Sequence, residues 1–539
     1  MGHARRRFLN LPSIMVVALF GVGGSVTVMC DTSLSKAAPR ATAGGVASGP
    51  KDAATSRYDW LQFDGDPRHS GNNDLEITLG RSTVASLSRR FQATLPAVAD
   101  GAPVYLASIS TSAGVRDVLF VTTTAGHVVA LDAQTGATLW LKQYGAGACK
   151  VNQGSWPCFT TSSPAIDPGR AFVYTYGLDG KVHKLSVADG TETTQRGWPE
   201  VVTLKAFDEK GSSPLVFATA HDGTTYLYAA QGGYPGDNGD YQGHLTAIDL
   251  SSGAQKVFNT QCSDRAEHFV EAPGTPDCGA RQSAVWARAP VVYDPASDRI
   301  YLVTGNASYD PPAHGWGDSI LELDPDGSGV NGGPLDSYTP PTFKTLQETD
   351  DDLGSTAPAI LPTPAGSSVA RLALQSGKDG KIRLINLSNL SGAGGPGHTG
   401  GEVFVMPVPQ GGGVLTTPAV WTEPRSGSTW VFVTNASGIV ALNLALDARR
   451  VPRLTVAWER PEGGSSPLVA NGVLYYAGNN VIRALEPTTG KPLWSDASIG
   501  SIHWQSPIVA NGALYLTDGS SRLNAYFAPR RASTSVSSK

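Results

Sequence analysis

The chain has 539 residues and a formal net charge of −5, and only 16% of its residues are charged. A mildly acidic balance with no Lys/Arg run in its body argues against nucleic acid or an anionic membrane as the main partner. Its length would allow several domains.

The chain opens MGHARRRFLN and runs apolar from Leu11 to Met29 before the small-residue site Ala41-Thr42-Ala43. A basic start, an apolar middle and such a site predict an export signal over residues 1–43. Arg5-Arg6-Arg7-Phe8-Leu9 resembles the twin-arginine signal, which carries folded proteins outward. The expected location is therefore periplasmic, cell-surface or secreted. The apolar run is also long enough to stay as an N-terminal anchor, the one membrane attachment expected. Residues 44–56, rich in Ala, Gly and Ser, read as a disordered linker. Without residues 1–43 the net charge falls to −9, because five basic residues and one acidic residue leave with them.

From residue 57 a repeat begins. A Pro lead-in recurs eight times, at Pro103, Pro164, Pro214, Pro290, Pro358, Pro418, Pro467 and Pro507. A turn residue and an alternating apolar run follow each lead-in, as in Gly126-HVVALD, Gly243-HLTAID and Gly380-KIRLIN. The runs are too short for buried helices and are bounded by Gly, Asn and Pro, so they predict short antiparallel strands. No single unit can bury its own apolar face, but copies around an axis can. The prediction is all-β: an eight-bladed β-propeller of four-stranded antiparallel blades over residues 57–528, with a disordered tail over 529–539. The last copy ends at Tyr526-Phe527 without a fourth strand, and Ser88–Leu95 can supply it. The ring then closes by pairing the two ends of the chain. His127, His183 and His244 fall within third strands and read as strand side chains.

Four cysteines follow the signal: Cys149, Cys158, Cys262 and Cys278. Their even number in an exported chain suggests disulfides, and Cys149–Cys158 and Cys262–Cys278 each fit within one loop, although four cysteines allow three pairings. No Cys-x-x-Cys-His occurs, so no attached haem is expected.

The repeats carry Thr-Gly turns followed by Trp, as at Thr135-Gly136 with Trp140 and Thr489-Gly490 with Trp494. In this they resemble the quinoprotein alcohol-dehydrogenase-like propellers over about Trp60 to Phe527. That family includes dehydrogenases that use pyrroloquinoline quinone (PQQ) with Ca²⁺, and also non-catalytic scaffolds. The resemblance implies a site near Trp286–Asp324. There Thr304-Gly305-Asn306 is similar to the triplet whose Asn ligates Ca²⁺, a hard cation that takes oxygen donors. Read from the residues alone, Asn306 is equally a turn cap. The acidic segment Asp350-Asp351-Asp352 is similar to the one that carries the general base, for which Asp350 and Asp352 are the candidates. A solvated acidic loop is the alternative. Trp286 is the candidate floor for a planar cofactor.

Two positions depart from the family. Gln231 stands in the region where the dehydrogenases place a Glu on the metal, and it offers only a neutral oxygen. Their adjacent Cys-Cys has no counterpart. The glycine-rich loop Pro235–Asp240 could also hold Ca²⁺, but it lacks the spacing and distal Glu of a helix-loop-helix site. Two functions therefore stand. The first is an exported scaffold that binds a protein, a glycan or a small molecule. The second is a PQQ- and Ca²⁺-dependent alcohol dehydrogenase that passes electrons to a separate acceptor.

Overall fold

Each predicted unit becomes a twisted four-stranded antiparallel sheet. The computed structural model describes residues 57–145, 148–151 and 154–529. The expected export signal and linker, and the tail beyond residue 529, lie outside them. Blades one to seven occupy residues 104–143, 165–201, 216–259, 292–338, 359–407, 419–460 and 468–496. Each first strand starts one or two residues after its Pro, where the missing N–H breaks no ladder bond. Among the described residues the only α-helix is Phe343–Thr349, between blades four and five.

Blade eight is built from both ends of the chain. Its first three strands are Ile508–Ala510, Ala513–Asp518 and Arg522–Phe527. The fourth is Ser88–Thr94, which runs antiparallel to the last, from Ser88 opposite Phe527 to Thr94 opposite Arg522. This is the closure expected from the sequence. It leaves no blade with a missing strand and gives both chain ends a ladder partner.

The apolar core lies between blades. Val118 and Phe120 of blade one pack in one cluster with Ile166, Val173 and Leu185 of blade two. Leu374 and Leu384 of blade five likewise join Val431, Val433 and Val440 of blade six. Each of these ten side chains is fully buried, and burial of that kind stabilises by roughly 1.5–3 kcal/mol per residue. Tryptophans of fourth strands also couple some blades to a glycine turn of the next. Trp140 of blade one donates its indole N–H to Val187 O of blade two at 3.2 Å and lies over Gly190. Trp458 of blade six does the same to Pro487 O and Gly490 of blade seven. Both glycines have positive φ, and a Cβ on either would stand 2.8 Å or less from the indole. Only Gly satisfies both conditions.

The segment after residue 57 straps the axis. Leu61 O accepts from Ile166 of blade two, Pro67 O from Tyr293 of blade four, Ser70 O from Val420 of blade six and Gly71 O from Val469 of blade seven. Buried His69 bridges Phe63 O and Val291 O through its two ring nitrogens. The motif from Asp64 to Gly71 is thus an internal brace for the first strands. The strand order also sorts the loops. Turns between second and third strands, and the lead-in to each first strand, fall on one end of the ring.

Thr94→Cys/Arg522→Cys should form a disulfide in the folded protein, because the pair are direct register partners and both are exposed. Closing almost the whole chain into a loop should then raise unfolding stability by up to about 5 kcal/mol. Thiol titration and urea denaturation would read both effects. Two free thiols in the native state would refute the register.

Candidate functional site

On the loop end of the ring lies a cavity of about 370 Å³. Its wall draws on lead-ins and turns from most of the blades, including Phe159, Lys210, Asp237, Trp286, Arg288, Asn306, Asp350, Asp352, Lys378, His503 and Trp504. Four of the sequence candidates therefore meet here: Trp286, Asn306, Asp350 and Asp352.

Asn306 follows the second strand of blade four, Arg299–Val303, and is buried. It joins two carboxylates. Its backbone N–H donates to Asp352 Oδ1 at 2.7 Å, and its side-chain Nδ2 donates to Asp237 Oδ2 at 3.2 Å. Asp237 also accepts from the Tyr241 hydroxyl at 2.6 Å. Asp352 is buried, and its Oδ2 lies 2.8 Å from Lys378 Nζ. The same ammonium reaches Asp350 Oδ1 at 2.9 Å and stands 5.3 Å from the centre of the Trp286 ring. Burial raises the Asp352 carboxyl above its ordinary range, and the Lys378 ammonium opposes that shift. Lys378 is itself held above its usual value: burial works against its charge, but the two carboxylates outweigh it.

The two acidic candidates are not equivalent. Asp350 is the left-handed residue that ends helix Phe343–Thr349, and its side chain is 63% exposed. Asp352 is the buried one, at the start of the turn Leu353–Ser355. Asp351 turns outward to the Thr349 hydroxyl. Half-buried Trp286 stands between Lys378 and Trp504, whose ring centre is 6.4 Å away at 73°.

Gln231 is not brought to the cavity. It lies in the second strand of blade three opposite His244, fully buried, and its carbonyl accepts from Val285. Asp237, six residues on, brings a carboxylate to the cavity wall. The loop containing it reads in the sequence as a candidate Ca²⁺ loop by itself, and its approach to Asn306, which crosses from blade three to blade four, is not legible there. The sequence does not single out Lys378. The signal available was a Lys preceding Asp379-Gly380 in a turn of blade five.

Among the described residues no three His, Cys, Asp or Glu side chains converge on one point. The oxygen donors on the acidic wall are instead the Asp237 and Asp352 carboxylates and the Asn306 amide. Two carboxylates and an amide oxygen suit a hard cation such as Ca²⁺, and the wall beside them offers an indole face. The residues present fit the cofactor pair that the sequence resemblance implies. Cys262 and Cys278 form a disulfide in the loop after blade three. Cys158 is also disulfide-bonded, whereas the side chain of Cys149 lies outside the described residues.

Residues 60–315, just under half of the chain, match the family model described as Glucose/ethanol/alcohol dehydrogenase, beta-propeller domain. A polyvinylalcohol dehydrogenase from a Pseudomonas species is 25% identical over 218 residues, which make up 39% of this chain and 31% of that protein. The match thus spans less than a third of the relative's length. A europium-containing methanol dehydrogenase superposes with a TM-score of 0.58 at 14% identity, over 87% of this chain and 98% of its own. The quinohemoprotein alcohol dehydrogenase from Comamonas testosteroni gives 0.58 at 16% identity, over 88% and 81%. At these identities the structural likeness is one of fold.

One buried acid beneath the site gives a pH test. Asp318 Oδ1 accepts the Leu353 N–H at 3.0 Å, while its Oδ2 has no protein partner. Burial first, and the nearby Asp352 carboxylate further, push its carboxyl up to about 8. The folded state therefore keeps a proton that the unfolded chain releases near pH 4, and stability should fall as pH rises from there through 8. Asp318→Asn should remove this slope, worth up to about 1.4 kcal/mol per pH unit. In urea denaturation of the cofactor-free protein it should gain over the native sequence at pH 8 but not at pH 4. Equal gains at both values would contradict the assignment.

Proposed function

Because this chain is a PQQ-type β-propeller related to the quinoprotein dehydrogenases, we propose that it is a PQQ- and Ca²⁺-dependent dehydrogenase that oxidises an alcohol. The observation that carries the reading is the union of Asp352, Asn306, Lys378 and the Trp286 ring in one cavity. A scaffold has no need of a buried carboxylate with a raised pKa beside an amide, an ammonium and an open indole face.

In this reading Asn306 and Asp237 would hold the cation beside Asp352, and Trp286 would offer its indole to the quinone. When bound there, the cofactor would supply the two-electron acceptor and the cation a Lewis acid. The chain's residues do the rest. Asp352 takes the hydroxyl proton of the alcohol on its carboxylate, a role suited to a base lifted above its ordinary range by burial. The Asn306 N–H fixes one Asp352 oxygen, and Lys378 keeps the other ionised. Lys378 also ties Asp352 to Asp350 at the outer edge of the cavity. The apolar ring faces of Phe159, Trp286 and Trp504 exclude water from the reacting carbon. Electrons leave to a separate acceptor. The export expected from the N-terminal segment belongs to the same proposal, and the Cys262–Cys278 disulfide supports an oxidising compartment.

Calorimetry with PQQ and Ca²⁺, followed by dye reduction with simple alcohols, tests this directly. Asn306→Ala should weaken Ca²⁺-dependent PQQ binding by about tenfold or more. Asp352→Asn should cut kcat by about 10²–10⁴-fold. With the native chain, kcat should rise with pH through a value above the usual carboxylate range, as Asp352 loses its proton. Absence of PQQ binding at high micromolar concentration would sink the proposal and return the propeller to the scaffold reading.

A further inference from the structure

At the mouth of the cavity stands a pair that the reaction above does not use. His503 and Trp504 belong to the lead-in of blade eight, and both line the cavity. Asp100, just before the lead-in of blade one, is buried and holds the two in place. Its Oδ2 lies 2.7 Å from His503 Nδ1, and its Oδ1 accepts the Trp504 N–H at 3.0 Å. An ionised carboxylate can only accept, so Nδ1 carries the proton of the neutral ring. The lone pair is then on Nε2, which has no hydrogen-bond partner among the described residues. The side chain is 66% exposed, so the ring borders both the cavity and the solvent. Two cations share Asp100 with it. The Asp100 charge opposes the burial that brings Lys210 down to about 8 and Arg288 down to about 10, and Asp64 acts likewise on Arg288. The other charged groups of the cavity wall are Lys378, Asp237, Asp350 and Asp352.

Proton abstraction from the alcohol leaves a problem at Asp352, which is buried. Its two oxygens face the Asn306 N–H and the Lys378 ammonium, and both of these are donors. Neither can take the proton onward. Asp237 is no better placed, because its oxygens accept from the Tyr241 hydroxyl and the Asn306 amide. We propose that His503 is the proton carrier between the buried base and solvent, and that Asp100 is the positioning residue that fixes its ring and tautomer. The inference rests on the dehydrogenase reading above. Once the carbonyl product has left, the Asp352 O–H bond breaks and an N–H bond forms at His503 Nε2 by way of water in the cavity. The imidazolium then gives that proton to bulk water. No electrons move in this step, and Asp352 is again a carboxylate. A cavity of about 370 Å³ has room for such water, at about 30 Å³ per molecule. Imidazole suits the task because it is the side chain that gains and loses a proton near neutrality.

Steady-state dye reduction by the full chain with PQQ and Ca²⁺ tests the relay. His503→Asn retains an amide N–H that can reach Asp100, and it should lower kcat by at least about tenfold while leaving PQQ affinity within twofold. His503→Ala should lose as much, and added imidazole should return most of the loss, because the vacated position is open to solvent. Imidazole should not restore Asp352→Asn. A second readout needs no cofactor: at high pH, ¹⁵N NMR should show His503, assigned by its absence from His503→Ala, as the Nδ1–H tautomer. A kcat for His503→Asn within twofold of the native value, a loss in His503→Ala that imidazole leaves unchanged, or an Nε2–H tautomer would overturn the relay. Rescue by a small carboxylic acid of Asp350→Asn, with His503→Asn unaffected, would move the exit to Asp350 and overturn it as well. Absence of turnover by the native chain would sink the dehydrogenase reading and the relay together, whereas native turnover with an intact His503→Asn would sink the relay alone.

Discussion

A β-blade has two apolar faces and two unpaired edges, and none of these is stable in water by itself. Radial packing resolves the faces, because every blade is covered by its neighbours. The edges at the chain ends need a separate solution. The ladder between Ser88–Thr94 and Arg522–Phe527 provides it. Arg57 and Tyr58 reinforce the arrangement from the same end of the chain: Tyr58 donates to Glu76 at 2.6 Å and receives Asn511 N–H at 3.0 Å, while Arg57 pairs with Asp117. Blade one is thereby joined to blade eight through the chain's own start.

A closed ring also determines where chemistry can sit. Lead-ins and second-to-third-strand turns converge on one end, while the strap from Trp60 to Asn73 holds the first strands of several blades together along their length. Side chains that are remote in sequence, such as Asp237, Asn306 and Lys378, meet there. Their charges are set by competition. Burial raises the Asp352 carboxyl above its ordinary range, and Lys378 at 2.8 Å works against that. The balance leaves a carboxylate more basic than a fully solvated Asp, and such a group is better suited to proton transfer.

The architecture was legible because it is local. Eight Pro lead-ins, eight alternating runs and the Thr-Gly and Trp signature each report on one blade, and the unpaired last copy pointed to Ser88–Leu95. The site was legible only where one segment carries it, as in Trp286, Thr304-Gly305-Asn306 and Asp350–Asp352. Sequence alone could not separate exposed Asp350 from buried Asp352, because both occupy the same acidic run and only the end of helix Phe343–Thr349 turns them apart. Lys378, Lys210 and Arg288 escaped for a different reason. Each is an ordinary residue in its own turn or lead-in, and its meaning comes from neighbours on other blades.

The seam has a consequence in time. Contacts within and between blades one to seven form between segments close in sequence, so they become available as the chain emerges. The partner of Ser88–Thr94 is the last strand to leave the ribosome. Until then the first segment has no ladder partner, and the ring remains an open arc with two adhesive edges. Completion is thus a single late event that joins the oldest and youngest parts of the chain, and the same junction is the natural place for the arc to reopen.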